Sequence, residues 1–119
     1  MNREFINLIK SNNYDNFKDF CKNNKNINNI LKFKDQNGDT VAHFLVKLCE
    51  KTRRNKENIK KEIKKNLAEN KDITNLQATL KEQDTIEENY NKMTYLLINE
   101  YNVDRSANNE GFSIHTQEE

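Results

Sequence analysis

A chain of 119 residues has room for one ordinary domain, since domains run ~100 to 150 residues. With 34% hydrophobic and 33% charged residues, and Asn at 22 positions, apolar surface for a compact core is limited, so the chain should be thin or elongated. A net charge of +1 argues against a general nucleic-acid binder, no apolar run approaches the ~20 residues of a membrane span, and the lack of Pro with only two Gly argues against an all-β fold of many turns.

The N-terminal MNREFINLIK carries Arg3 and Glu4 and no signal-type apolar stretch. There is no Asn-x-Ser/Thr sequon, and Cys21 and Cys49 are too few for a disulfide framework. These features predict an intracellular protein of a reducing compartment, the cytoplasm first, or one delivered into a host cell if the source is a parasite or symbiont. The Asn/Lys/Ile bias fits an A+T-rich genome and carries no function.

In chain order, Phe5, Leu8 and Ile9 stand at helical spacing until the turn-favouring Ser11-Asn-Asn-Tyr-Asp15. A second helical pattern, Phe17, Phe20 and Cys21, follows with Asp15 as its expected N-cap. Ile30, Leu31 and Phe33 then mix with polar residues up to the strong turn signal Asn37-Gly38, which predicts an extended, hairpin-like finger. Thr40 caps a new helix with Val41, Phe44, Leu45 and Leu48 on its apolar face and His43 three residues after the cap.

The order helix, turn, helix, finger, followed by Asp35-Gln-Asn-Gly38-Asp-Thr40-Val-Ala-His43, resembles the ankyrin repeat, whose turn with Asp and Gly leads into a Thr-Pro-Leu-His helix start. Thr40, Val41, Ala42 and His43 hold the four signature positions, with Val41 in place of Pro. Gly38 suits a turn that needs positive φ, and Thr40 a helix start whose N–H groups lack partners. The resemblance implies that His43 braces the turn. A second match runs from Met93 to Val103 and then through Asn108-Asn-Glu-Gly111-Phe-Ser-Ile-His115, where the finger signature is one residue shorter and Asn108 replaces Asp.

Gly38 and Gly111 stand 73 positions apart, whereas ankyrin repeats are spaced by ~33. The excess is either an eroded repeat or an insertion within one repeat, and the intervening residues favour insertion. From Lys51 to Asp84 there is no Gly and no second Thr-x-x-His, while Ile59, Ile63 and Leu67 step by four and Ile73, Leu76 and Leu80 by three and four. Asn70-Lys71-Asp72 is the natural reversal, with Asp72, or Thr74 in a capping-box spacing with Gln77, starting the return helix. The two arms would project ~30 Å beyond the repeats. The first arm is basic (Lys51, Arg53, Arg54, Lys56, Lys60, Lys61, Lys64, Lys65) and the second acidic (Glu82, Asp84, Glu87, Glu88), so they should face and neutralise each other, with a polar base at 52–58 that could bend.

The expected architecture is thus all-α: ankyrin-like helix-turn-helix repeats stacked as a short solenoid, with a long antiparallel helical hairpin inserted. Residues 4–33 form the first repeat, 34–50 and 91–106 the second, 51–90 the insertion, and 107–119 the start of a further repeat, which leaves open a longer array. No Cys-x-x-Cys or His-x-x-x-His pair, glycine-rich phosphate loop or Ser/His/Asp constellation is visible, so no catalytic residue, metal site or cofactor is expected. The family resemblance implies a non-catalytic module that binds another protein through finger tips and inner helices. It points to Lys34, Gln36, Asn37 and Asp39 of the first finger and Asn108, Asn109, Glu110 and Phe112 of the second, with Gly38, Thr40, His43 and Gly111 as structural positions. Two alternatives stand beside it: a self-associating structural protein that pairs through the hairpin, and weak nucleic-acid binding through the basic arm.

Overall fold

The computed structural model describes residues 2–106, 108 and 114. Five helices follow one another, α1 (Arg3–Lys10), α2 (Tyr14–Asn23), α3 (Ile27–Lys32), α4 (Val41–Ala68) and α5 (Thr74–Tyr101), and no strand occurs among the described residues. Asparagine shapes several of their boundaries. The side chains of Asn2 and Asn13 accept from Phe5 N–H (2.9 Å) and Asn16 N–H (3.0 Å) as N-caps of α1 and α2. Asn13 rather than Asp15 caps α2, and Asp15 lies in the first turn, where its charge suits the helix dipole. Among the described residues the non-glycine positions at positive φ are Asn12, Asn70 and Asn102, because a short amide tolerates the left-handed region better than other side chains.

The segment expected to be extended is partly helical. Ile27 and Leu31, one turn apart, are buried on one face of α3, and their burial overrides the poor helix propensity of the Asn residues between them. Extended backbone begins only at Phe33. At 52–58, where a bend could be accommodated, α4 runs as one unbroken helix, Thr52 is buried, and its hydroxyl donates to the Leu48 carbonyl (3.0 Å). At the reversal Lys71 N–H donates to Asn66 O (2.8 Å). Asp72 then accepts from both the N–H and the hydroxyl of Thr74 (3.0 and 2.7 Å), which leaves no Thr74–Gln77 capping box.

Cys49 with Asn91, Arg53 with Glu87 and Lys56 with Asp84 mark an antiparallel pairing of α4 and α5. Every buried hydrophobic residue described lies in 5–49 or 90–114: Phe5, Ile9, Phe17 and Cys21 pack with Val41, Leu45, Met93, Leu97 and others into one core. Phe5 stacks on both Phe17 and Phe20 at centroid separations of 5.2 and 5.1 Å. Beyond the core the two arms carry only half-buried apolar residues, Ile59, Ile63, Leu76 and Leu80, with Leu67 58% exposed. The molecule measures 55 × 31 × 26 Å with a radius of gyration of 16.6 Å, against about 13.5 Å for a compact domain of this length.

Candidate interaction surface

The loop between α3 and α4 is built from its own hydrogen bonds. Asp35 Oδ1 accepts from the N–H groups of Asn37 and Asp39, both at 2.9 Å. Gly38 N–H donates to Asp35 O (3.0 Å) and Asp35 N–H to Asp39 O (2.9 Å). Gly38 takes φ 78°, a value that a Cβ would penalise. At the α4 start, Thr40 Oγ1 accepts from His43 N–H (3.4 Å), while Thr40 N–H donates back to His43 Nδ1 (3.1 Å), a reciprocal cap with His in the usual place of Glu or Gln.

The other imidazole nitrogen of His43, Nε2, donates to the Ser106 carbonyl (2.8 Å). A carbonyl only accepts, so Nε2 carries the proton and Nδ1 is free to accept from Thr40. His43 therefore links the loop to the chain after α5. Asp39 makes a second link: Oδ1 accepts from Asn108 Nδ2 (2.6 Å) and Oδ2 from Lys47 Nζ (2.8 Å). Burial pushes the Asp39 carboxyl up, but hydrogen bonds from Asn108 and Lys47, with the Lys47 charge, outweigh it and hold the group below the usual carboxylate range. Lys34 pairs with Asp104 at 3.3 Å, and Ile114, in the core, donates its N–H to Arg105 O (3.2 Å) while its carbonyl accepts from the Arg105 side-chain Nε (3.3 Å).

The eight expected contact residues therefore separate. Lys34, Gln36 and Asn37 are exposed on the loop. Asp39 and Asn108 are 8% and 7% exposed and bonded to each other, so they join two segments instead of offering open polar groups. Asn109, Glu110 and Phe112, and the structural position Gly111, lie outside the described residues. Two surface features escaped the sequence reading. Phe33 is 47% exposed beside Lys34, Gln36 and Asn37, and its signal was an aromatic set directly before the polar turn. The other is an open groove of about 420 Å³ between the start of α2 and the last turns of α5, lined by Tyr14, Tyr95 and Leu96 with Glu88, Lys92 and Glu100 on its rim. All of its lining residues but Tyr14 stand on α5 at helical spacing, and that spacing alone could not show that the start of α2 meets this face.

Cys21 and Cys49 are buried and unbridged, and burial pushes the Cys21 thiol up to about 12. Among the described residues no three His, Cys, Asp or Glu side chains form a group that could hold a metal ion, and no helix is long and apolar enough to cross a membrane. No protein-family model, curated protein or solved structure matches the chain.

Proposed function

We propose that the chain is a non-catalytic, ankyrin-type module that binds another protein. In this reading 4–33 form a first repeat and 34–50 with 91–106 a second, split by an inserted helical hairpin at 51–90; 107–119 open a further repeat. The observation that carries it is the internally hydrogen-bonded loop from Phe33 to Thr40. It is cross-braced by Asp35, Gly38 and the Thr40–His43 cap, and it presents Phe33, Lys34, Gln36 and Asn37 to solvent. A braced loop loses little conformational freedom on binding, and an exposed aromatic among polar groups has the composition of an interface anchor.

The test is a photo-crosslinking amino acid placed at Gln36 and, separately, at Lys64 on α4. Partner adducts formed from position 36 and abolished by Phe33→Ala support the reading. Adducts formed only from position 64 move the function to the arms. One observation favours a second reading, self-association through the arms: Leu67 is 58% exposed above a half-buried apolar stripe. Light scattering that finds a monomer across micromolar concentrations removes it.

A further inference from the structure

The acidic arm neutralises less of the basic arm than the sequence leads one to expect. Glu87 takes Arg53 (3.0 Å) and Lys56 (2.8 Å), Asp84 takes Lys56 (2.5 Å), and Lys60 turns to Glu57 on its own helix (3.4 Å). Lys51, Arg54, Lys61, Lys64 and Lys65 are exposed and have no carboxylate within ion-pair distance among the described residues. At about 100° per residue, Lys51, Arg54, Lys61 and Lys65 share a sector of about 80° on the side of α4 turned away from α5, with Lys64 flanking it. The stripe runs about 21 Å at 1.5 Å per residue. Glu50 and Glu62 stand at its edges with no ion-pair partner among the described residues, and Glu57, paired with Lys60, lies between Lys61 and Lys64, so the surface keeps a net excess of three positive charges.

We propose that this outer side of α4 docks on the phosphate backbone of duplex DNA. The choice of occupant follows from what the stripe lacks. It carries no apolar side chain, and exposed ion pairs contribute only ~0–1 kcal/mol each, so a protein would find no anchor there. A membrane surface requires an apolar face to bury. Single strands are held by stacking on aromatic rings, and residues 45–89 contain no Phe, Tyr, Trp or His. Duplex DNA needs none of these: it presents one charge per ~1.7 Å of axis, about twelve along the stripe, and binding is driven by release of condensed counterions. An α-helix ~10–12 Å across enters the ~12 Å major groove of B-form DNA, whereas the deep, narrow major groove of A-form RNA excludes it. This surface is independent of the loop at Phe33, and either can fail without the other.

The experiment is fluorescence anisotropy of the full chain with a labelled 20-base-pair DNA duplex of mixed sequence, titrated between 50 and 200 mM NaCl. Binding should be measurable at 50 mM. Five phosphate contacts give a log–log slope near −4.5, a loss of about 500-fold across that range. The triple variant K61E/K64E/K65E should weaken binding by about tenfold or more, K61Q/K64Q/K65Q by less, and K18E/K22E/K25E, an equal charge change on α2 and the turn that follows it, by less than about threefold. Circular dichroism checks that the helices persist, and the glutamine triple decides the matter should the glutamate triple lose them. Absence of binding at 50 mM salt, equal losses in the α4 and α2 triples, or tighter binding to single-stranded DNA, an RNA duplex or phosphatidylserine vesicles overturns the proposal.

Discussion

The side-chain amide of Asn108 donates across 2.6 Å to the carboxylate of Asp39, 69 positions earlier, and both groups are buried. A buried acceptor loses more when its donor is removed than the bond contributes on balance, because the desolvated group is left without a partner. Asn108→Ala should therefore lower stability by about 1–3 kcal/mol in urea unfolding. A change below the error of the measurement would mean that water replaces the amide.

Acid should destabilise the fold over a defined window. Asp39 and Glu87 are both pushed up by burial, yet held below their ordinary values by stronger opposing contacts: Asn108 and Lys47 for Asp39, Lys56 and Arg53 for Glu87. Hydrogen bonds from Ser106 hold Asp104 at about 2. Each folded pKa lies below its unfolded counterpart near ~4, so the stabilisation is complete above that value and is lost as pH falls through the folded pKa. Stability should be level from about pH 7 to 5 and decline from about pH 4 toward 2. Combining Asp39→Asn with Glu87→Gln should lower the plateau and flatten the decline; an unchanged slope would assign it to other carboxylates.

The start of α4 offers a paired test. Thr40→Ala removes the acceptor for His43 N–H and should cost about 1 kcal/mol, while Thr40→Ser, which keeps the hydroxyl, should cost less. Gly38→Ala forces a Cβ into φ 78° and should cost about 1–2 kcal/mol. If alanine at 38 is neutral in thermal unfolding, the turn does not need its positive φ.

Because the buried hydrophobic residues described lie in 5–49 and 90–114, the outer arms should be dispensable to the core. Replacing 57–83 with a four-residue glycine-serine turn should leave a cooperatively unfolding protein, with Lys56 and Asp84 still close. Loss of cooperative melting would show that the arms are integral to folding.

Burial around Cys21 keeps its thiol protonated far above neutral pH, and the thiolate is the reactive form. Iodoacetamide at pH 8 should modify Cys21 in the native protein at least about tenfold more slowly than in urea. Comparable rates would indicate frequent local opening of α2.

Several elements were legible because their signals are local. Phe5 and Ile9 sit one turn apart, the stepped isoleucines and leucines of the arms repeat at helical spacing, and Gly38, Thr40 and His43 form a turn and cap whose atoms lie within six residues. Asn70 marked the reversal for the same reason. What was misread depended on partners distant in sequence. Residues 30–32 looked like the start of an extended finger because Ile30, Leu31 and Phe33 mix with polar residues, whereas Ile27 and Leu31 are helical through burial against the core. Asp39 and Asn108 looked like exposed finger residues, and only the meeting of the two segments buries them against each other.

The sequence by itself determined an all-helical chain, the place of its reversal and the braced turn before α4, since helical periodicity, capping and φ preference act over a handful of residues. Only the tertiary structure decided which charges meet. Helix phase turns Arg53 and Lys56 toward Glu87 and Asp84 and leaves Lys51, Arg54, Lys61 and Lys65 facing solvent, a distinction that depends on where α5 lies around the axis of α4.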